Sequence, residues 1–159
     1  MLIDKYLPQY TYHEHHHTLV QAGARDCFLV AKELDLSESW VTKMLLKLRG
    51  LPTNDLTLKG FLHNVCFTYV EEEPFKEFLI DASQPGLKIF WNFYFKSVSA
   101  DKTIVSTETR ILCISPKTKR RFSVYWFFVR PFSGLIRVEI LRLIKKKAAL
   151  NIISKSFPG

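Results

Sequence analysis

The stretch from residue 117 to residue 147 constrains the fold of this chain most. Large apolar side chains recur in it at intervals of three and four residues, which is the pattern of a helix with one buried face. They are Phe122, Tyr125, Trp126, Val129, Phe132, Ile136, Ile140, Leu143 and Ile144. Because these side chains are bulky, the helix needs a broad apolar surface against which to pack. We therefore expect the preceding chain to supply a sheet that receives it.

The same stretch contains charged residues that argue against a transmembrane segment. Arg130, Arg137, Glu139 and Arg142 interrupt the apolar run. Each charged side chain near a bilayer centre would cost about 2.5 to 3.5 kcal/mol. Pro131 lacks a backbone N–H donor and predicts a bend in the helix. We expect a kinked helix that packs on the protein, and no integral membrane segment.

Length and composition predict one domain over residues 1–150, followed by a loose tail over 151–159. The aromatic content of 14% is high and predicts a thick core or a lined cavity. Cys27, Cys66 and Cys113 are widely spaced, so a disulfide framework is not expected. The N-terminus lacks the features of a signal peptide, and a cytoplasmic location is expected.

Positive charge is concentrated at the C-terminal end. The net charge is +8, yet residues 117–155 alone hold eleven Lys or Arg against the single Glu139. Such a segment is compatible with binding to nucleic acid or anionic lipid. We instead expect the solvated back of the long helix, because the aromatic side chains there fall on the opposite stripe. No nucleic-acid-binding motif accompanies the charge, and nucleic acid is not expected as a partner.

The order of predicted elements is strand, two short helices, several strands and the long helix. A strand is predicted over 10–21, helices over 25–34 and 37–49, an ambiguous segment over 56–61, and short strands over 65–70 and 75–81. The clearest strands are 87–98 and 103–114, with Trp91 and Phe93 on one face. A Ser-Pro pair at 115–116 starts the long helix. The simplest α+β solution is a curved antiparallel sheet wrapped around that helix.

Short sequence motifs along nearly the whole chain resemble those of the START-like superfamily (SRPBCC, helix-grip), and within it those of an uncharacterised bacterial START-like family. They are DKYLP at 4–8, KELDLS at 32–37, KLRGLP at 47–52, LTLK at 56–59, PG at 85–86, WNF at 91–93, STETR at 106–110, YW at 125–126 and RPFSGLIR at 130–137. The resemblance implies a helix-grip fold and a cavity between sheet and C-terminal helix, which relatives use for lipids, polyketides or other apolar molecules. Around residues 73–75 such relatives carry an additional stretch that is absent here, so a truncated sheet is expected.

The candidate ligand-binding residues are those that the pattern turns toward the space between sheet and helix. They are Trp91, Phe93, Thr107, Thr109, Tyr125, Trp126 and Val129. Glu108 and Arg110 share one strand face and are candidates for a polar anchor in an apolar cavity. The alternative for this pair is an exposed ion pair worth about 0 to 1 kcal/mol, which their position opposite Val105 favours.

Five histidines raise the question of a metal site. His13, His15 and His17 would project from one face of a strand, where such neighbours are roughly 6.5 to 7 Å apart in a line rather than a tetrahedron. A half-exposed edge strand explains the run, so no metal or other cofactor is expected. The sequence also places no Asp or His to activate a nucleophile.

Three functions stay open at this stage. The first is binding or carrying of a small apolar ligand, such as a lipid, a polyketide or an aromatic-like molecule, in the cavity. The second is a cyclase or isomerase that uses Glu108 or a histidine as base in the same cavity. The third is a protein-interaction module, a homodimer included, in which the shortened sheet leaves an edge or an apolar patch for a partner. The first is preferred.

Overall fold

The computed structural model describes residues 1–48 and 50–156, with side chains as far as Asn151. Its helices are α1 (Leu2–Tyr6), α2 (Ala24–Lys32), α3 (Trp40–Leu48), α4 (Leu58–Asn64) and α5 (Pro116–Ser156). Its strands are β1 (Tyr12–Val20), β2 (Thr68–Glu73), β3 (Glu77–Asp81), β4 (Leu87–Ser99) and β5 (Lys102–Cys113). A single turn of 3-10 helix at Leu36–Glu38 precedes α3.

These strands form one antiparallel sheet in the order β1-β5-β4-β3-β2. The long β4–β5 hairpin lies at its centre, where Trp91 is opposite Thr109 and Phe93 is opposite Thr107. Strands β1 and β2 are each paired on one side only, so the sheet is open at both edges. The predicted α+β helix-grip arrangement is confirmed: a curved, unclosed antiparallel sheet with two short helices after the first strand and a long C-terminal helix.

The core lies between α5 and the inner face of the sheet, which is the face that carries Trp91 and Phe93. Both rings are buried there, and Phe93 stacks on Phe78 with 4.8 Å between ring centroids. From α5, Ile140 and Ile144 are completely buried in the same cluster. Helices α2, α3 and α4 add their apolar faces to this cluster and cover its remaining side.

The predicted apolar stripe of α5 is correct for most of its length and wrong at two positions. Phe122 and Trp126 are buried, as predicted, whereas Tyr125 is 47% exposed and Phe132 is 37% exposed. Pro131 lies inside α5, which is helical on both sides of it. Among the described helices, none combines the length and the apolarity that crossing a bilayer requires.

Helix α1 covers the outer face of the sheet and was not predicted. Leu2 and Ile3 pack there against Phe90 in a second apolar cluster. The fully buried carboxylate of Glu77 accepts hydrogen bonds from the Leu2 backbone N–H and from Asn92 Nδ2, each at 2.7 Å. A helix of five residues has little intrinsic stability. The formation of α1 therefore depends on contacts with residues that are more than seventy positions away in sequence.

Several predicted boundaries differ from the observed ones. Strand β2 begins at Thr68 instead of residue 65, and it includes the acidic run 71–73 that the prediction assigned to a turn. The ambiguous segment becomes α4, whose first turn is capped by Thr57 Oγ1 accepting from the Gly60 N–H at 3.1 Å.

Two predictions fall on residues that the structure describes only in part. The predicted end of the second helix, Arg49, lies outside the described residues. Helix α5 continues to Ser156 and so runs into the range predicted as a tail, of which 157–159 lie outside the described residues.

Candidate ligand-binding cavity

A cavity of about 880 Å³ lies between the inner face of the sheet, helix α5 and the segment that joins α3 to β2. Its walls are mainly apolar. The sheet contributes Ile89 and Ile111, α5 contributes Phe122 and Ile136, and the α3–β2 segment contributes Leu51, Phe61 and Phe67. The volume lies within the range of about 300 to 1,000 Å³ that is usual for small-molecule sites.

Five of the seven predicted ligand-binding residues line this cavity, namely Trp91, Thr109, Tyr125, Trp126 and Val129. Phe93 and Thr107 lie on the same face of the sheet but are packed in the core and are not part of the lining. The Thr107 hydroxyl accepts a hydrogen bond from Trp91 Nε1 and donates one to the Asn92 carbonyl oxygen at 3.0 Å. The indole donor of Trp91 is thus used inside the protein.

Arg137 supplies the polar centre of the cavity, and sequence analysis missed it. Its Nη2 and Nε donate to Thr109 Oγ1 at 2.7 and 3.0 Å. Its Nη1 donates to the Ser133 carbonyl oxygen at 3.0 Å and to the Ser133 hydroxyl. The guanidinium carbon lies 5.4 Å from the centroid of the Trp91 ring. All four residues line the cavity, and the Arg137 side chain is only 12% exposed.

A carboxylate on β1 balances this buried positive charge. Glu14 Oε2 lies 3.6 Å from Arg137 Nη1, and Glu14 Oε1 accepts a hydrogen bond from Arg130 Nε at 3.1 Å. The Glu14 side chain is itself nearly fully buried, but it is not part of the cavity lining. Because Glu14 lies outside the lining, the charged group that reaches the cavity at this point is the guanidinium.

Glu108 and Arg110, the predicted polar anchor, lie on the outer face of the sheet and not in the cavity. Arg110 Nε donates to Glu108 Oε1 at 2.6 Å, and its Nη1 and Nη2 donate to the Leu7 carbonyl oxygen at 3.0 Å and to Asp4 Oδ1 at 2.7 Å. The hydrogen bond from Arg110 holds the pKa of Asp4 below its usual value. The alternative of an exposed pair is also wrong, because both residues are buried. The pair holds α1 on the sheet.

Acidic residues and histidines are missing from the described lining of the cavity. Neither Glu108 nor one of the histidines is therefore placed to act there as a base. Cys66 does line the cavity, and it is exposed and has a positive φ of 57°.

The histidine run lies on the edge strand β1. His13, His15 and His17 form a row in which successive ring centroids are 6.5 and 5.6 Å apart. His13 Nε2 is 3.0 Å from Glu108 Oε1 on the outer face. Across residues 1–48 and 50–156, no cluster of three or more His, Cys, Asp or Glu has the arrangement that a metal ion needs.

Comparison with known proteins identifies the fold. No protein-family model matches the chain, and no curated protein matches it in sequence. Solved structures do match. A point mutant of norcoclaurine synthase from Thalictrum flavum, in complex with a transition-state analogue, has a TM-score of 0.54 over 90% of this chain and 98% of its own, at 13% identity. A START superfamily protein from Mycobacterium smegmatis has a TM-score of 0.52 over 88% and 99% at 8% identity. The protein XoxI from Bacillus cereus has a TM-score of 0.51 over 87% and 96% at 8% identity.

These likenesses extend over almost the full length of each protein and define this chain as a START-like, helix-grip fold. The predicted resemblance to the START-like superfamily is thereby confirmed at the level of the fold. The nearer resemblance to one bacterial family stays a prediction.

Proposed function

We propose that this protein binds and carries a small apolar molecule in the cavity between the sheet and α5. The observation that carries the proposal is the position of Arg137. It is a largely buried guanidinium at the wall of a mainly apolar cavity of about 880 Å³, whose lining also includes Lys117 and Arg121 near the start of α5. Small-molecule sites combine apolar walls with a few convergent polar groups that fix the orientation of the ligand.

The chemistry of the walls indicates what kind of molecule fits. A guanidinium flanked by the hydroxyls of Thr109 and Ser133 favours a ligand with one oxygen-rich end, such as a carboxylate, a carbonyl or a phenol. The body of that ligand would lie against Trp126 and Ile111, where it replaces water with apolar contacts. Tyr125, which is half exposed, would lie at the entrance. Lipids, polyketides and aromatic molecules with a polar end all meet this description.

Two considerations favour carriage over chemistry. First, the described lining offers no Asp, Glu or His as a proton acceptor, whereas a cyclase or isomerase needs a base within reach of its substrate. Second, the hydrogen bonds of Arg137 hold its side chain in one orientation, which suits a binding group. The similar norcoclaurine synthase structure contains a transition-state analogue, so the fold accommodates a small molecule in that protein.

Native mass spectrometry of the purified protein, combined with analysis of its solvent extract, tests the proposal. We expect an apolar guest that survives purification and leaves on extraction with solvent. The emptied protein should then bind the fluorescent probe 1-anilinonaphthalene-8-sulfonate, which has an apolar body and one anionic end. In Arg137→Met the affinity for this probe should fall by about tenfold, since a charge-assisted hydrogen bond contributes about 1.5 to 3 kcal/mol.

Arg142→Met is the matched control, because Arg142 is an exposed arginine on the same helix. This control should bind the probe as the wild type does. Equal probe affinity in Arg137→Met and in the wild type, or the absence of both guest and probe binding, would count against the proposal.

A further inference from the structure

Helix α5 carries an exposed apolar strip on the side that faces away from the sheet. The strip consists of Val124, Phe127, Phe128, Leu135 and Val138, all of which are exposed. Phe127 and Phe128 are 76% and 64% exposed, so the expectation that the aromatic side chains of this segment lie on the opposite, buried stripe is wrong for both. At 100° per residue the strip covers an arc of roughly 100° on the helix surface. An apolar surface of this extent on a helix marks an interaction site.

Basic side chains border the strip at both ends and on the same side of the helix. They are Lys117, Arg120 and Arg121 before it, and Arg142, Lys145 and Lys146 after it, all exposed. Arg142 is paired with Glu139 at 2.6 Å, and the other five have no ion-pair partner in the described part of the chain. No Asp or Glu occurs between residues 116 and 138. Strip and basic ends together fall within an arc of roughly 120°.

This arrangement matches the interface of an anionic bilayer better than two other occupants. A second copy of the chain would bring the basic ends of two strips together in either orientation, which is unfavourable. A nucleic acid would use the basic residues and the two rings but would gain little from Val124, Leu135 and Val138, which neither stack nor donate. In an anionic bilayer, the apolar side chains enter the boundary between headgroups and acyl chains, and the basic side chains meet the lipid phosphates.

We infer that α5 binds in the plane of an anionic membrane surface through this strip. The contact is peripheral: the helix lies on the bilayer and does not cross it. The inference goes beyond the proposed ligand binding and does not depend on it, because none of the five strip residues lines the 880 Å³ cavity, and of the six basic residues only Lys117 and Arg121 do. It would hold for a protein whose cavity is empty.

Flotation with lipid vesicles tests this inference. The full chain is mixed with vesicles of phosphatidylcholine and phosphatidylglycerol in equal parts, and with vesicles of phosphatidylcholine alone. We expect binding to the anionic vesicles that weakens as salt is added, and little binding to the neutral ones. The variant Phe127→Ser/Phe128→Ser should lower the partition constant at least about tenfold, since burying one such ring contributes more than that factor.

A charge reversal with a matched control separates local from overall electrostatics. Lys145→Glu/Lys146→Glu should weaken binding to the anionic vesicles strongly. Lys88→Glu/Lys96→Glu removes the same charge from exposed positions on β4 and should leave most of the binding intact. Circular dichroism checks that each variant is folded, and if the serine variant is not, the charge reversals decide.

Several outcomes would overturn the inference. One is equal binding to neutral and anionic vesicles, and another is equal loss in the two charge-reversal variants. A third is unchanged vesicle binding by a folded Phe127→Ser/Phe128→Ser. Sedimentation velocity that shows a dimer abolished by this variant, without vesicle binding, would assign the strip to self-association. Binding to single-stranded DNA without binding to vesicles would assign the surface to nucleic acid.

Discussion

Replacing Arg110 by Met separates the stability of the fold from its ligand binding. The Arg110 side chain is 9% exposed and donates to Glu108 at 2.6 Å, to Asp4 at 2.7 Å and to the Leu7 carbonyl oxygen at 3.0 Å. Met retains much of the volume but none of the donors. The buried Glu108 carboxylate then keeps His13 as its partner, at 3.0 Å, and α1 loses its polar attachment to β5.

The magnitude follows from the burial of this pair. Removing one partner of a buried ion pair costs about 3 to 5 kcal/mol, because the other charge is left without compensation. We expect the lower end, about 3 kcal/mol, since the exposed Asp4 regains water and His13 remains beside Glu108. A loss of this size leaves a domain of ordinary stability folded, since the free energy of unfolding of such domains is about 5 to 15 kcal/mol. Urea unfolding followed by tryptophan fluorescence measures it.

Two control measurements test the role of Arg110, one on stability and one on ligand affinity. Arg142→Met, which removes a 58% exposed arginine, should cost about 0 to 1 kcal/mol. The affinity of Arg110→Met for 1-anilinonaphthalene-8-sulfonate should not change, because Arg110 lies on the face away from the cavity. A loss of stability below about 1 kcal/mol would refute the role assigned to the buried pair. If Arg110→Met instead lost affinity for the probe at unchanged stability, Glu108 and Arg110 would have to belong to the ligand-binding site.

Three further predictions concern the cavity, the thiols and the imidazoles. Val129→Trp fills the space beside α5 and should lower the affinity for 1-anilinonaphthalene-8-sulfonate in fluorescence titrations; equal affinity would place the site elsewhere. N-ethylmaleimide should modify the exposed Cys66 rapidly near neutral pH and leave Cys27 unmodified, since burial raises the pKa of Cys27 to about 11. Mass spectrometry of the peptides measures the modification of each thiol, and early modification of Cys27 would contradict its burial. Burial lowers the pKa of His16 below its usual value of 6.5, so the unfolded chain takes up the proton first and the free energy of unfolding should fall as the pH drops below that value. Urea midpoints at neutral and mildly acidic pH that coincide would refute this.

The sequence predicted the elements that local pattern controls. Strands β4 and β5 alternate, and α5 keeps its helical spacing, so the inner faces of the strands and most of the buried stripe of α5 followed from periodicity. Helix α1 could not be found this way, because five residues carry no periodic signal and Glu77 becomes their partner only after folding. The predicted bounds of strand β2 were wrong for a related reason. Its glutamates pair with Lys5 and Lys32, which come from distant parts of the chain.

The position of the cavity between sheet and α5 could be predicted from the sequence, but its polar contacts could not. Arg137 interrupts an apolar run, which argues against a transmembrane helix but does not reveal a binding group. Its spacing did contain a signal: it follows Ser133 by four residues and precedes Ile140 by three, which places it on the buried stripe. Glu108 and Arg110 were candidates for a polar anchor in the cavity, whereas their strand pattern favoured an exposed pair. Neither prediction is correct, because both residues are buried on the outer face of the sheet. The ligand and the cellular location stay predictions.

The open sheet has two margins, and they are protected unequally. An unpaired strand offers its free backbone groups to any extended chain that approaches. At β2, glutamates with lysine partners place permanent charge in the path of such a chain. At β1 the exposed side chains are three imidazoles and Leu19, with no Lys, Arg, Asp or Glu among them. In concentrated neutral solution, unwanted strand-to-strand stacking between molecules should therefore start at β1, and substitutions meant to keep the protein dispersed belong there.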